Sequence, residues 1–332
     1  MGGDKAPHTT VSGAVEAARW SRGRFEVILV GDEDTVHNEL KHHLFVKDLH
    51  LSVVHASEKV EMDESPAKSL RRKPDSSLAV TLRLHREGKV DAVVSAGNTG
   101  AVMATALFLL NRVEGVTRPS LGSFMPHESG QGFILDVGAN VDCKPVHLLQ
   151  FGIMGTIFAR HVMGIQNPRV GLLNIGEEPT KGNDLAQKAY RLLENSSLDF
   201  IGNVEGRDIL QGKADIIICD GFTGNILLKF GESMTRMISI SLKRKIGRHI
   251  PSAIGAFLLK PRFRNMLKIF DYREYGGAPL LGVKGNCIIC HGRSNQVAIW
   301  NAVEEAFNMI QEKVWQKIEQ EVSKMKGVQG EI

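Results

Sequence analysis

The sequence predicts an α/β fold in which helices cover both faces of a mostly parallel sheet. Apolar runs of strand length alternate with stretches of helical spacing along the chain, and this alternation requires crossover connections and parallel pairing. Several apolar runs end in Gly-containing turns, and the chain has 34 Gly against 11 Pro. With 332 residues, 42% of them apolar and 23% charged, the chain has the composition of a globular protein with a large core.

The predicted order of strands and helices places the Gly-containing turns at the ends of strands. Strands are predicted at 25–30, 51–55, 91–95, 133–137, 170–175, 199–202, 216–219 and 287–290. Helices are predicted after 31, at 77–87 and 101–112, and as one long helix over 295–326. Ligands of such sheets lie at the carboxyl ends of the strands. We therefore expect the functional residues in the turns that follow those strands.

One basic segment stands out in what we expect to be a single domain over 1–332. Residues 233–270 contain nine Lys or Arg and no Asp or Glu, so the rest of the chain is net negative. Met234, Met237, Ile238 and Leu242 form a helical apolar stripe. This pattern suits an anionic membrane surface, an acidic protein partner or a dimer helix with a solvated face. The candidate basic residues are Arg236, Lys243, Arg244, Lys245 and Arg248.

Composition also disfavours several classes of protein. No apolar run reaches the length of a membrane span and no secretory pattern is present, so we expect a cytoplasmic protein. Nucleic acid is a weak candidate because the sequence shows no basic face laced with aromatic residues and no zinc-finger spacing. Cys287 and Cys290 resemble a CxxC pair, but a strand points positions i and i+3 to opposite faces. No further ligands match that spacing, so no metal is expected.

Two Gly-rich turns could bind an anion. The segment 95–100 joins a strand to an apolar helix, and its small residues and polar side chains suit a phosphate at a helix N-terminus. Its candidate residues are Ser95, Asn98, Thr99 and Gly100, and the alternative is a plain helix cap. Gly3 and Asp4 precede another helix, and there the alternative is a flexible terminus. A doubly wound fold is expected to have a strand that leads into this turn.

Further candidates follow the later strands. Lys181 and Asn183 lie after one strand, and turn formation alone does not require a lysine. Arg118 could bind phosphate through two parallel hydrogen bonds, and Asn225 could donate to a developing oxyanion. The alternative for the Asn and Gly residues is ordinary turn chemistry. The remaining candidates are Asn140, Asp220, Thr223, Gly224 and His291; the last of these ends the final strand.

Together these motifs resemble the phosphate acyltransferase (PlsX) family. The matching stretches are 1–4 with 6–7, 95–101, 118–119, 135–145, 174–182, 202–207, 220–229, 271–282 and 291–292. The resemblance implies a three-layer αβα fold like that of phosphotransacetylases and isopropylmalate dehydrogenases, a homodimer and no cofactor. Family members usually have a short strand before the first motif, and they usually have His where this chain has Lys5.

The resemblance also implies a reaction. The family takes a fatty acyl group from acyl carrier protein, transfers it to inorganic phosphate and passes the acyl phosphate to a membrane glycerol-3-phosphate acyltransferase for phospholipid synthesis. Our hypothesis is direct attack by phosphate on the thioester. Lys181 would offset charge, Asn225 would contact the phosphate or the oxyanion, and His291 would protonate the thiolate. Ser95, Asn98, Thr99, Asn183 and Thr223 would add further phosphate or oxyanion contacts.

Three alternatives stay open at this point. Cys143 or Cys219 could form an acyl-enzyme instead. The chain could act on acyl-CoA as a phosphotransacetylase. It could also be a non-catalytic membrane scaffold for lipid-synthesis enzymes, although a scaffold does not need polar strand ends.

Overall fold

The computed structural model describes residues 2–246 and 276–324, and its centre is an eight-stranded sheet. The strand order is β3-β10-β9-β4-β5-β8-β6-β7. These strands are β3 (Ala92–Ser95), β4 (Ser120–His127), β5 (Gly130–Leu135), β6 (Val170–Leu173), β7 (Phe200–Val204), β8 (Ile216–Ile218), β9 (Ala278–Leu281) and β10 (Asn286–Ile289). A separate pair consists of β1 (Val27–Gly31) and β2 (Leu51–His55), which are parallel.

The large sheet contains two blocks of parallel strands that run in opposite directions. β3 and β10 are parallel to each other, and β5, β8, β6 and β7 form the second parallel block. Between the blocks, β9 is antiparallel to β10 and to β4, and β4 is antiparallel to β5. The two blocks therefore direct their carboxyl ends differently.

Helices flank both sheets. They are α1 (His8–Ser21), α2 (Glu33–Leu40), α3 (Pro66–Arg72), α4 (Ser77–Arg86), α5 (Thr99–Leu110), α6 (Pro145–His161), α7 (Asp184–Glu194), α8 (Gly206–Gln211), α9 (Gly221–Ile246), α10 (Gln296–Gln311) and α11 (Val314–Lys324). Separate apolar clusters are built on Phe133, Phe151 and Phe158 and on Ile134, Ile217 and Ile289. Since alternate strand residues point to opposite faces, these clusters fill the two interfaces of the predicted three-layer fold.

The structure confirms the mostly parallel sheet and corrects two details. The antiparallel strands β4 and β9 were not predicted; β4 contains Gly122 and Pro126, which weaken a strand pattern. The predicted helix 295–326 is two helices, because Lys313 adopts a φ of 51° between them. The basic segment begins in α9, which continues to Ile246; the rest of that segment, with Arg248, lies outside the described residues.

Candidate active site at the ends of β5, β8 and β6

A buried carboxylate organises the turn after β5. Asp136 has no exposed surface, and its Oδ1 accepts hydrogen bonds from the N–H groups of Leu121 (3.3 Å), Gly138 (3.1 Å) and Ala139 (2.9 Å). Its Oδ2 accepts from the N–H and the Nδ2 of Asn140, both at 2.7 Å. Burial raises the pKa of Asp136, and the N–H donors oppose that rise. Five donors and no acceptor match a carboxylate that shapes this turn.

The start of α9 packs directly on that turn. A Cβ at Gly221 would lie 2.7 Å from the Asn140 carbonyl oxygen, so only glycine allows this approach. Asp220 caps the helix: its carboxylate accepts from the Thr223 N–H at 2.9 Å and from the Thr223 hydroxyl at 2.8 Å. The Thr223 hydroxyl therefore donates its proton to Asp220. That proton is not available for the predicted contact with phosphate.

Asn225 lies one turn into α9 and faces the same loop. A Cβ at Gly138 would lie 3.6 Å from the Asn225 Cβ and 3.7 Å from its Oδ1, so the absent side chain of Gly138 keeps space around this amide. Asn225 is half-buried. Among the described residues, no protein group is hydrogen-bonded to its side chain, which leaves the amide N–H groups available to a ligand.

The loop after β6 holds Lys181 beside this turn. Asn174 Nδ2 donates to the Lys181 carbonyl at 3.1 Å, and Gln187 Nε2 donates to the Thr180 carbonyl at 2.8 Å. The Lys181 Nζ lies 3.9 Å from Glu178, and the lysine side chain is 49% exposed. An ion pair that long and that exposed contributes little to stability. The two amide hydrogen bonds therefore fix the loop, while the Lys181 ammonium group is accessible.

Strand register brings these loops together. Leu135 of β5 aligns with Ile218 of β8, which aligns with Leu172 of β6. Neighbouring strands lie about 4.8 Å apart, so the three following loops are adjacent. Arg118 joins them from the start of β4: Asn140 Nδ2 donates to the Pro119 carbonyl at 2.7 Å, which fixes the chain next to Arg118. Arg118 is exposed, and no ion pair of the part of the chain described here involves it.

The cysteines near this site are poor nucleophiles. Burial raises the pKa of Cys143 to about 12, and Asp136 adds to the rise. Cys219 is fully buried, and burial raises its pKa well above the ordinary thiol value. Since the thiolate is the reacting species, neither residue is activated at neutral pH. This weakens the acyl-enzyme alternative.

The predicted contacts of 95–100 belong to a different place. Asn98 Oδ1 caps α5 by accepting from the Ala101 N–H at 3.0 Å, and its Nδ2 donates to the carbonyls of Met62 (2.9 Å) and Glu64 (3.0 Å). Both Nδ2 hydrogens of Asn98 are therefore used internally in this structure, which leaves neither for the predicted contact with phosphate. Ser95 Oγ accepts from the Gly97 N–H at 3.2 Å, and Thr99 is exposed at the start of α5. A Cβ at Gly100 would lie 2.9 Å from Pro66.

The turn with Gly3 and Asp4 packs on this second group. The Asp4 N–H donates to the Gly292 carbonyl at 2.8 Å, and Gly3 adopts a φ of 106°. His291 is exposed beside them, and its Nδ1 accepts from the Arg293 N–H at 3.0 Å. These residues follow β3 and β10, whereas Lys181, Asn183 and Asn225 follow β6 and β8.

Strand spacing separates the two groups. Five strand steps lie between β3 and β8, which is about 24 Å at about 4.8 Å per step. One phosphate does not span that gap, so the structure does not bring Ser95 and Thr99 to the same place as Lys181 and Asn225. His291 follows β10, four steps or about 19 Å from β8. The antiparallel strands β9 and β4, which the sequence pattern did not reveal, cause this separation.

Two residues of the site were not predicted from the sequence. Asn203 is buried at the end of β7, and its Nδ2 donates to the Glu178 carbonyl at 2.9 Å. Gln187 of α7 binds the same loop through Thr180. Asn203 could have been found in the sequence because it is a polar residue within an apolar strand. Asn183 acts as the N-cap of α7 and accepts from the Ala186 N–H at 2.9 Å.

The surface of α9 is apolar near the site. Phe222, Ile226 and Phe230 recur every four residues and are 59%, 53% and 62% exposed. Arg236 is also exposed, whereas the side chains of Lys243, Arg244 and Lys245 lie outside the described part. Over the described ranges, no helix is long and apolar enough to cross a bilayer, and no group of three His, Cys, Asp or Glu residues is placed to hold a metal ion.

Comparisons with known proteins identify relatives along almost the full length. A family model described as "Fatty acid synthesis protein" matches residues 1–317. A phosphate acyltransferase of Desulforudis audaxviator is 49% identical over 307 residues, which are 92% of this chain and 89% of that protein. A phosphate acyltransferase of Heliobacterium modesticaldum is 49% identical over 322 residues, 97% and 96% of the two chains.

Solved structures agree on the fold. A phosphotransacetylase from Streptococcus pyogenes superposes with a TM-score of 0.61 at 17% identity and covers 91% of both chains. A branched-chain phosphotransacylase from Enterococcus faecalis gives a TM-score of 0.56 at 12% identity, over 93% of this chain and 96% of that one. The chain therefore belongs to the phosphate acyltransferase family that the matching model describes, and it has the phosphotransacetylase-like three-layer fold.

Proposed function

We propose that the chain transfers a fatty acyl group from acyl carrier protein to inorganic phosphate, as an early step of phospholipid synthesis. One observation carries the proposal: three neighbouring loops present Arg118, Lys181 and Asn225, and none of these side chains has a strong internal partner among the described residues. Two cations and an amide donor suit a dianionic nucleophile and a developing oxyanion. The names of the relatives give the same reaction class.

The reaction needs no protein nucleophile. A phosphate oxygen forms the new bond to the thioester carbonyl carbon, and the carbonyl oxygen becomes the oxyanion of a tetrahedral intermediate. The carbon–sulfur bond then breaks, and the proton of hydrogen phosphate goes to the leaving sulfur. The products are the acyl phosphate and the free thiol.

The named residues have separate roles in this proposal. Lys181 and Arg118 offset the charge of phosphate, and Arg118 can bind two of its oxygens at once. Asn225 donates to the oxyanion. Asp136 and Asn140 are positioning residues, because they fix the turn against which Asn225 and Arg118 lie.

The direct test is phosphate-dependent release of free thiol from palmitoyl acyl carrier protein. Release should require phosphate and should fall about 100-fold or more in Lys181→Ala and in Asn225→Ala, the usual loss of one preorganised charge or donor. Lys188→Ala is the matched control: Lys188 lies on the adjacent helix α7, pairs with Asp184 at 2.8 Å and should have full activity. Thiol release that does not depend on phosphate would contradict the proposal.

The acyl donor is tested separately. Palmitoyl-CoA should give a much lower kcat/KM than palmitoyl acyl carrier protein, because the acidic carrier complements the basic segment 233–270. Equal values would support the phosphotransacetylase alternative. Activity on neither donor would leave the scaffold alternative.

We also propose that α9 and the basic segment form a surface for anionic membrane lipid, next to a homodimer contact and the acceptor enzyme. The support is the exposed apolar face of Phe222, Ile226 and Phe230 together with the basic residues that follow. A Lys243, Arg244, Lys245→Glu variant should lose binding to liposomes that contain phosphatidylglycerol. A Lys41, Lys59, Lys89→Glu variant, with three exposed lysines elsewhere, is the charge-matched control; equal binding by both would contradict this surface.

A further inference from the structure

Apolar side chains lie exposed on the three loops that form the candidate active site. Ile175 follows β6 and is 82% exposed, Val141 follows β5 and is 60% exposed, and Phe222 follows β8 and is 59% exposed. Single exposed apolar residues are common on protein surfaces, but a group of them around a polar site indicates a ligand with an apolar part. We refer to these three residues as the apolar rim.

A contact between two main-chain segments brings Val141 and Phe222 to the same side of the site. The Gly221 N–H donates to the Asn140 carbonyl at 2.8 Å. A Cβ at Gly221 would also lie 2.9 Å from the Asn140 nitrogen. Val141 and Phe222 each follow one partner of this contact directly in the chain. Their side chains therefore leave adjacent stretches of backbone.

Asn174 holds Ile175 next to Lys181. Its Oδ1 accepts from the Ile175 N–H at 2.8 Å, and its Nδ2 donates to the Lys181 carbonyl at 3.1 Å. A Cβ at Gly176 would lie 2.9 Å from the Lys181 Cγ. A Cβ at Gly182 would overlap the Asn174 Oδ1, so the loop is closely packed on both sides of Lys181. The backbone positions of the exposed isoleucine and of the cation are therefore fixed relative to each other.

The strand order places rim residues on both sides of Asn225. β8 lies between β5 and β6, and α9 with Asn225 follows β8. Val141 lies on the β5 side and Ile175 on the β6 side. At about 4.8 Å per strand step, the loops after β5 and β6 are about 10 Å apart. An apolar group on a carbon atom held at Asn225 therefore meets apolar side chains from neighbouring loops.

We propose that the apolar rim binds the acyl chain of the thioester, and that Ile175 and Val141 thereby set a preference for long acyl groups over short ones. This inference rests on the proposed acyl transfer to phosphate. Each methylene group that leaves water contributes about fourfold to binding. A palmitoyl group has a long run of methylenes to place on the rim, whereas an acetyl group has none.

The test compares kcat/KM for palmitoyl and acetyl acyl carrier protein, which share the carrier and differ only in the acyl group. In Ile175→Ser and in Val141→Ser the ratio of the palmitoyl to the acetyl value should fall about tenfold, because an apolar contact is lost. Ile175→Leu keeps an apolar side chain and should retain the wild-type ratio. Leu210→Ser is the matched control and should also retain it. Leu210 is 52% exposed on α8, and its carbonyl accepts from the Glu128 N–H, at the other end of β4 from Arg118.

The acyl carrier protein or a second copy of this chain could cover the same side chains. An equal fall with both donors would assign Ile175 and Val141 to the carrier and would overturn the proposal. Sedimentation velocity should give the wild-type number of subunits for both Ser variants, and a changed number would assign the rim to a contact between copies instead.

The same assay separates this inference from the proposed function. If the wild-type chain shows no phosphate-dependent thiol release, both are overturned. If the wild-type chain releases thiol and both Ser variants keep its ratio of palmitoyl to acetyl kcat/KM, only the role of the rim is overturned.

Discussion

Asn140 makes two hydrogen bonds of 2.7 Å to the Asp136 carboxylate, one from its backbone N–H and one from its Nδ2. Its second Nδ2 hydrogen bond goes to the Pro119 carbonyl, also at 2.7 Å. One buried acid therefore connects the turn after β5 with the chain before β4. The positions of Arg118 and Asn225 depend on this connection.

Asp136→Asn should lower the free energy of unfolding by about 3 kcal/mol, because an amide NH2 would face N–H donors in a site that offers no acceptor. Activity should fall as well, since the turn would move away from Asn225. Urea unfolding followed by circular dichroism measures the stability. Asp142→Asn, at an exposed position three residues before Pro145, is the control and should be unchanged; equal stability of the two variants would contradict the role of Asp136.

Gly224→Ala tests the contact between α9 and the same turn. A Cβ at Gly224 would overlap the Asp136 carbonyl oxygen and would lie 2.9 Å from the Cys219 Sγ. The helix start must then shift, with a loss of about 2 kcal/mol of stability and a reduced kcat. Gly206→Ala is the matched control, because nothing lies within 4 Å of its Cβ position. Loss of kcat in Gly206→Ala, or full kcat in Gly224→Ala, would argue against this contact.

The sequence predicted most strands because buried parallel strands are apolar over their whole length. The runs 51–55 and 216–219 match β2 and β8 almost residue for residue. It did not reveal β4 and β9, whose direction is a property of tertiary pairing. The local sequence pattern therefore predicted where the strands end, but not the direction in which each strand runs in the sheet.

The same limit explains why some of the site residues could not be assigned correctly from the sequence. Asn98, Asn183 and Thr223 have the composition of an anion site, but each is part of a helix cap. Caps and anion sites need the same residue types, because both satisfy free N–H groups at a helix start. Lys181 and Arg118 were recognisable because turns and caps do not require a cation.

His85 should make stability depend on pH. Its Nδ1 lies 2.9 Å from the Val90 carbonyl, and its Nε2 accepts from the Asn286 N–H at 3.1 Å, so the ring is held neutral. Burial lowers the pKa of His85 below its ordinary value of 6.5. As pH falls through 6.5 the unfolded chain takes up the proton first, so stability present above this pH is lost below it.

The measurement compares urea unfolding at about pH 7.5 and about pH 5.5. The wild-type chain should lose stability at the lower pH, and His85→Gln should lose less, although it is less stable at both. His50→Gln, at an exposed position, should keep the wild-type difference. An unchanged difference in His85→Gln would refute the assignment.

The Cys143→Ala, Cys219→Ala double variant should keep the phosphate-dependent thiol release of the wild-type chain. Both thiols are protonated at neutral pH, because burial raises the pKa of Cys143 to about 12 and that of Cys219 well above its ordinary value. Mass spectrometry of the wild-type chain with palmitoyl donor and no phosphate should show no acyl adduct. An adduct on either cysteine would restore the acyl-enzyme alternative.

Arg118→Lys should raise the KM for phosphate about tenfold with a smaller effect on kcat. Lysine keeps the charge but lacks the planar pair of donors that binds two phosphate oxygens. A tenfold rise in KM corresponds to a loss of about 1.4 kcal/mol in the free energy of phosphate binding. Arg160→Lys is the control; its Nε donates to the Gln166 carbonyl at 3.0 Å on the far end of α6. Because Asn140 fixes the peptide next to Arg118 in both proteins, the comparison isolates the guanidinium, and an unchanged KM for phosphate would exclude Arg118 from the phosphate site.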